Sequence, residues 1–174
     1  MEEFVNRVAQ SGLVTLNLEE YLHAGERVVY DIKDNLFHGL LLREKDFRAF
    51  VKEHDWSQYA QKNVAIICST DAIVPTWAYM LLATKLQPFV NRYVFGDLEA
   101  LEQALMQDAI AKINAEEYVD AKVVIKGCGQ IPVPTYAYVE IMQKLLPVAG
   151  SIMYGEPCST VPIYKKPKEK QAAI

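Results

Sequence analysis

Apolar positions change their period several times along this chain, and each change marks an element. Leu13-Val14-Thr15-Leu16-Asn17 alternates weakly and predicts a short strand. Val28 to Ile32 reads as a clearer strand, and Leu36 to Leu42 as a second. Asp34-Asn35 between them tolerates left-handed backbone angles, so the pair predicts a β-hairpin. From Glu44 to His54 the period lengthens. Phe47, Phe50 and Val51 fall on one helical face, and Asp55-Trp56-Ser57-Gln58 ends that helix.

A repeat follows. Val74-Pro75-Thr76-Trp77-Ala78-Tyr79 returns as Val133-Pro134-Thr135-Tyr136-Ala137-Tyr138, a shift of 59 positions with no gap. The same shift carries Phe95-Gly96-Asp97 onto Tyr154-Gly155-Glu156. In the first copy Val64-Ala65-Ile66-Ile67 predicts a strand buried on both faces. Trp77 to Leu86 predicts a helix, and Tyr93-Val94-Phe95 a returning strand. The second copy runs Val123 to Ile125, Tyr136 to Leu145 and Ile152 to Tyr154. A helix from Leu98 to about Ile113 joins them, with Asp97 as N-cap and Leu98, Leu101, Leu105 and Ile110 inward. Asn114 caps one further turn.

The predicted fold class is α/β. A mainly parallel sheet is built from two duplicated β-α-β units, residues 62–97 and 121–156, with an N-terminal β-hairpin and helix. One domain is expected over 1–164, followed by a basic, mobile tail over 165–174. Right-handed crossovers related by a local twofold place the two first strands side by side, flanked by the returning strands. That order reverses the winding direction between the first strands, and open sheets bind ligands at such a switch point.

Charge narrows the function classes. A formal net charge of -4 argues against nucleic acid or an anionic membrane as partner. The N-terminus shows no basic segment followed by an apolar one, and three cysteines make no disulfide framework. A reducing cytoplasm is the expected location. The oligomeric state is left open.

The thiols carry the strongest chemical lead. Cys68 and Cys128 each end the first strand of a copy, just before a helix whose N-terminus favours thiolate. Adjacent strands would bring them to roughly 4.8 Å. Cys158 follows the last strand, within roughly 10 Å of reach. Asp71, Asp97 and Glu156 share that edge as candidate fourth ligands. Three thiolates and an oxygen ligand suit zinc or an iron-sulfur cluster. Against this, Cys68 aligns with Gly127 and Cys128 with Ser69 in the gapless register. Buried, inert cysteines beside strands are the plain structural alternative.

Other motifs say less. Pro75-Thr76 and Pro134-Thr135 read as helix starts, with an anion-binding role for the threonines as the rival reading. His23, His38 and His54 are scattered, and no nucleophile-base pair can be read from them. Gly127-Cys128-Gly129 is a flexible turn around a thiol and no phosphate loop.

Asp31-Ile32-Lys33-Asp34, the Val74–Tyr79 motif, Gly127-Cys128-Gly129 and Gly155-Glu156-Pro157-Cys158-Ser159-Thr160-Val161-Pro162-Ile163-Tyr164 resemble a bacterial family known as domain of unknown function 2480. The resemblance spans nearly the whole chain. It implies no assigned activity, but it implies gene neighbourhoods of iron-sulfur assembly and therefore partners from that pathway. The resulting expectation is a cytoplasmic metal- or iron-sulfur-binding accessory protein, with Cys68, Cys128, Cys158, Asp71 and Asp97 at the metal. Two alternatives stand beside it. One is an enzyme using Cys128 or Cys68 as nucleophile, and the other is an interaction module with structural cysteines.

Overall fold

The computed structural model describes residues 12–127, 129–156 and 158–167. The chain is mixed α/β, with four α-helices and two mainly parallel sheets among these residues. It divides into two compact units. One is the continuous stretch His23–Leu105, and the other joins the chain up to Leu22 with the chain from Met106 onward. The continuous unit is therefore inserted, in chain order, into the split one.

The continuous unit carries a three-stranded sheet. Its strands are β2 (Arg27–Asp31), β3 (Asn63–Ile67) and β4 (Arg92–Phe95), in the order β2-β3-β4 and all parallel. Helix α1 (Glu44–Glu53) lies between β2 and β3, and α2 (Thr76–Leu86) crosses from β3 to β4. Val64 and Ile66 point to one face of β3, where Phe47 and Val51 of α1 and Ala78, Leu82 and Leu86 of α2 close over them. Ala65, between them on the strand, points to the other face and meets Leu101 and Leu105 of α3 (Leu98–Lys112).

The split unit carries β1 (Leu13–Leu16), β5 (Lys122–Ile125), β6 (Ser151–Glu156) and β7 (Ser159–Lys165), in the order β1-β5-β6-β7. The first three are parallel, and β7 returns antiparallel to β6. Helix α4 (Thr135–Leu145) is the crossover from β5 to β6. Its Ala137, Ile141 and Leu145 pack on Val123 and Ile125, as do Met106 and Ile110 from the second half of α3.

The repeat positions fall on like elements. Helices α2 and α4 begin and end 59 positions apart. Their fully buried residues Ala78, Leu82 and Leu86 correspond to Ala137, Ile141 and Leu145. The correspondence runs further back than the sequence identities do. Phe47 and Val51 stand to Met106 and Ile110 at the same shift, and both pairs are core.

Three expectations are corrected. No hairpin forms over Val28–Leu42. The Asp31 carboxylate accepts from the amide of Lys33 and caps a 3-10 turn over Ile32–Asn35, which ends β2 where the hairpin turn was expected. Ile32 is fully buried, so hydrophobic burial holds that turn in place. Of the second strand there remain isolated bridges, antiparallel between Phe37 and Leu41 and parallel between Leu41 and Ile73. The two first strands are not neighbours either. The place beside β3 is taken by β2, and the place beside β5 by β1. Leu98 is 44% exposed and not inward, whereas Leu101, Leu105 and Ile110 are buried. Among the described residues no helix is long and apolar enough to cross a membrane.

Candidate functional site

A cleft of about 610 Å³ opens at the carboxyl ends of β1 and β5 in the split unit. The wall from β1 begins where Asn17 ends the strand. Its side chain accepts from the amide of Glu19 and caps a 3-10 turn, Leu18–Tyr21, anchored by the fully buried Leu18. This turn presents Glu19 to the cleft. The floor comes from β5, extended by Lys126, whose amide donates to the Leu16 carbonyl at 2.9 Å. The loop from Gly127 to Pro134 then leads into α4, with Thr135 at the helix start. Pro134 is the N-cap, and no side chain caps this helix, so Thr135 does not spend its hydroxyl there.

Three contacts fix the loop. The Glu19 carboxylate accepts from the amides of Gln130 and Ile131 at 3.0–3.1 Å. The hydroxyl of Tyr138 donates to the Lys126 carbonyl, and that of Tyr154 to the Gly127 carbonyl, each at 3.4 Å. The two tyrosine rings meet edge to face at 5.5 Å. Such a pair adds roughly 0.5–1.5 kcal/mol beyond its burial. The glycines are needed here for space. A Cβ on Gly127 would lie 2.6 Å from the Tyr154 ring, and one on Gly129 would overlap Glu19 Oε2.

The matching edge of the continuous unit is built differently. Asp31 stands at the end of β2 as Asn17 stands at the end of β1. It accepts from the amides of Lys33 and Ser69 and lies 3.3 Å from the Lys33 ammonium. Burial raises the Asp31 pKa, but the hydroxyl and amide of Ser69 and the amide and ammonium of Lys33 outweigh it. They hold the carboxyl down at about 2. Burial, with Cys68 and Asp31 close by, raises the Tyr79 pKa. Where the split unit has Lys126, this unit has Ile67. Its loop after β3 is tied down by backbone, since the amide of Ile73 donates to the Leu40 carbonyl at 3.1 Å.

The expected metal centre is overturned. Among the described residues no group of three or more His, Cys, Asp or Glu side chains is placed to hold a metal ion. Cys68 belongs to the continuous unit, where its thiol donates to the Thr70 carbonyl. Cys158 is an exposed residue of the β6–β7 turn in the split unit. Cys128 lies outside the described residues. Asp71 is an exposed loop residue after β3, and Asp97 caps α3 by accepting from the Ala100 amide at 2.9 Å. Glu156 ends β6 on the outer rim of the cleft. The inference failed because it made neighbours of β3 and β5, and each of those strands pairs within its own sheet. The role in iron-sulfur handling falls with it.

Sequence reasoning missed Glu19, Lys126, Tyr138 and Tyr154. The signal was present as a contrast between the copies, since Lys126 replaces Ile67 and Tyr154 replaces Phe95 while Tyr138 matches Tyr79.

Fold and cleft together define an α/β protein with a polar crevice at the carboxyl ends of parallel strands. A family profile described as protein of unknown function, DUF2480, matches residues 2–166, and the chain belongs to that family. Comparison with curated proteins and with solved structures gives no match.

Proposed function

We propose that the protein is a binding module for a small polar molecule, held in the cleft between Glu19, Lys126 and the start of α4. The observation that carries this reading is the cleft itself. Its volume lies within the roughly 300–1,000 Å³ range of small-molecule sites. It also sits outside the carboxyl ends of parallel strands, where open α/β sheets take ligands. Lys126, Gln130 and Thr135 supply polar contacts, and Val133, Tyr138 and Tyr154 an apolar wall. A fragment screen read by amide NMR tests it. Binders are expected to shift Lys126, Thr135 and Tyr138, and Lys126→Ala with Thr135→Ala to weaken them. Hits that map elsewhere, or that ignore both substitutions, would sink the reading.

A thiol enzyme is the second reading. Gly127 and Gly129 both line the cleft, and Cys128 lies between them in the chain. Such an enzyme would lose its activity on Cys128→Ser while keeping its ligand. A reducing compartment suits these free thiols.

We also read the two units as copies of one ancestral unit, the continuous unit, which carries the first copy, having been inserted into the split unit, which carries the second. Equal helix bounds and matching core positions support this. An experimental structure in which residues 62–97 and 121–156 fail to superpose would end it.

A further inference from the structure

We infer that the cleft receives an oxyanion, a carboxylate or phosphate group of its ligand, on the amides of Gln130 and Ile131, and that Glu19 is a built-in competitor for that seat. The inference rests on the cleft being the binding site. Two consecutive backbone N–H groups converge on one carboxylate, Gln130 on both oxygens and Ile131 on Oε1. Successive amides aimed at one point form an anion seat whatever the source of the anion. The present occupant comes from 111 positions away in the chain, on a flexible side chain that can swing out. Gly129 leaves room for it, because a Cβ there would overlap Glu19 Oε2.

The seat opens onto the cleft beside Lys126, the cation that also lines it. An anion cannot simply be added, since Glu20 and Glu156 line the outer rim and would repel it while Glu19 stayed in place. Exchange keeps the charge balance: one carboxylate leaves the amides and one oxyanion takes them. The continuous unit shows the contrasting design. Lys33 stands where Glu19 stands, and the loop is sealed through the Ile73 amide to the Leu40 carbonyl. A backbone seal has no reason to open, whereas a carboxylate on a side chain is displaceable.

The test titrates inorganic phosphate, and separately acetate, into full-length wild type, Glu19→Gln and Glu19→Ala at constant ionic strength, reading amide NMR shifts. Glu19→Gln keeps the side-chain length and one acceptor, so the loop has its support even if Glu19→Ala loses it. Gln130 and Ile131 are expected to shift saturably in Glu19→Gln. The half-point should fall about tenfold below that of wild type, because a charged acceptor holds amides more strongly than a neutral one. Equal half-points in the two proteins, or unmoved Gln130 and Ile131, overturn the inference. If phosphate moves Lys126 and Thr135 but not those amides, the cleft stands as the site and the amide seat falls together with the competitor role of Glu19.

Discussion

Gln61 and Asp120 occupy the same strained corner in the two units. Both hold left-handed backbone, with φ of 60° and 53°. Each donates its amide across the unit at 2.8 Å, Gln61 to the Phe89 carbonyl and Asp120 to the Val148 carbonyl. The next residue in each case starts the run into the central strand, and the amides of Asn91 and Gly150 bond back to Lys62 and Ala121. The corner fixes where β3 and β5 enter their sheets, so it is retained although a side chain is uncomfortable there.

Gln61→Gly should therefore stabilise the protein by up to about 1 kcal/mol, the strain of a side chain in left-handed backbone less the added chain entropy. Gln61 is exposed, so little else changes. The midpoint of urea unfolding measures this, and a lower midpoint would contradict it.

Gly96 and Gly155 should behave in the opposite way. Their φ values of 140° and 127° suit glycine alone. A Cβ would also come within 2.7 Å of the Ala100 side chain or 2.6 Å of the Ser159 carbonyl. Gly96→Ala and Gly155→Ala should each cost about 1–3 kcal/mol in chemical denaturation. Unchanged midpoints would show that the corners relax freely.

Leu82 and Ile141 are fully buried at matching points of α2 and α4. Truncating either to alanine removes apolar surface and leaves a cavity, at about 2–5 kcal/mol. Hydrogen exchange should show protection falling first on β2-β3-β4 for Leu82→Ala and on β1-β5-β6 for Ile141→Ala. Loss spread evenly over both sheets from either substitution would deny that each core supports its own sheet.

Asp31 gives the pH dependence. Its folded pKa is depressed to about 2, against an unfolded value near ~3.9. The stabilisation is thus complete above the unfolded value and is lost as pH falls through the folded one. Wild-type stability should drop between about pH 4 and pH 2 more steeply than that of Asp31→Asn. Parallel slopes, or an Asp31 carboxyl titrating near 4 by NMR, would count against the Ser69 and Lys33 contacts.

Much of the fold was legible from local signals. The Pro-Thr motifs marked the starts of α2 and α4, apolar spacing marked their buried faces, and Asp97 and Asn114 marked caps that the structure contains. Less visible was the likeness of Asn17-Leu18 to Asp31-Ile32. Each is a capping side chain followed by a fully buried aliphatic residue, and each ends a strand with a 3-10 turn. Four residues of β1 are too few for a convincing alternation, and Asp34-Asn35 imitated a hairpin turn. The match of Phe47 and Val51 to Met106 and Ile110 was hidden because those pairs share only their apolar character.

The cleft was the least legible part. Its loop was noticed for Cys128, but the residue that organises its amides is Glu19, far away in the chain and indistinguishable in sequence from Glu20 beside it. The cysteines were misassigned for the same reason, since their convergence depended on which strands pair.

By itself the sequence determined the helices, the caps at Asp97 and Asn114 and the two strand-helix-strand crossovers, because these depend on side chains within a few positions of one another. Only the tertiary structure decided that β1 pairs with β5 and β2 with β3, that two sheets form in place of one, and that Glu19 closes on the loop after β5. Backbone hydrogen bonds are the same for any strand pair, so the choice of partner rests on which distant apolar faces pack and which chain closures are cheapest, and no local pattern carries that information.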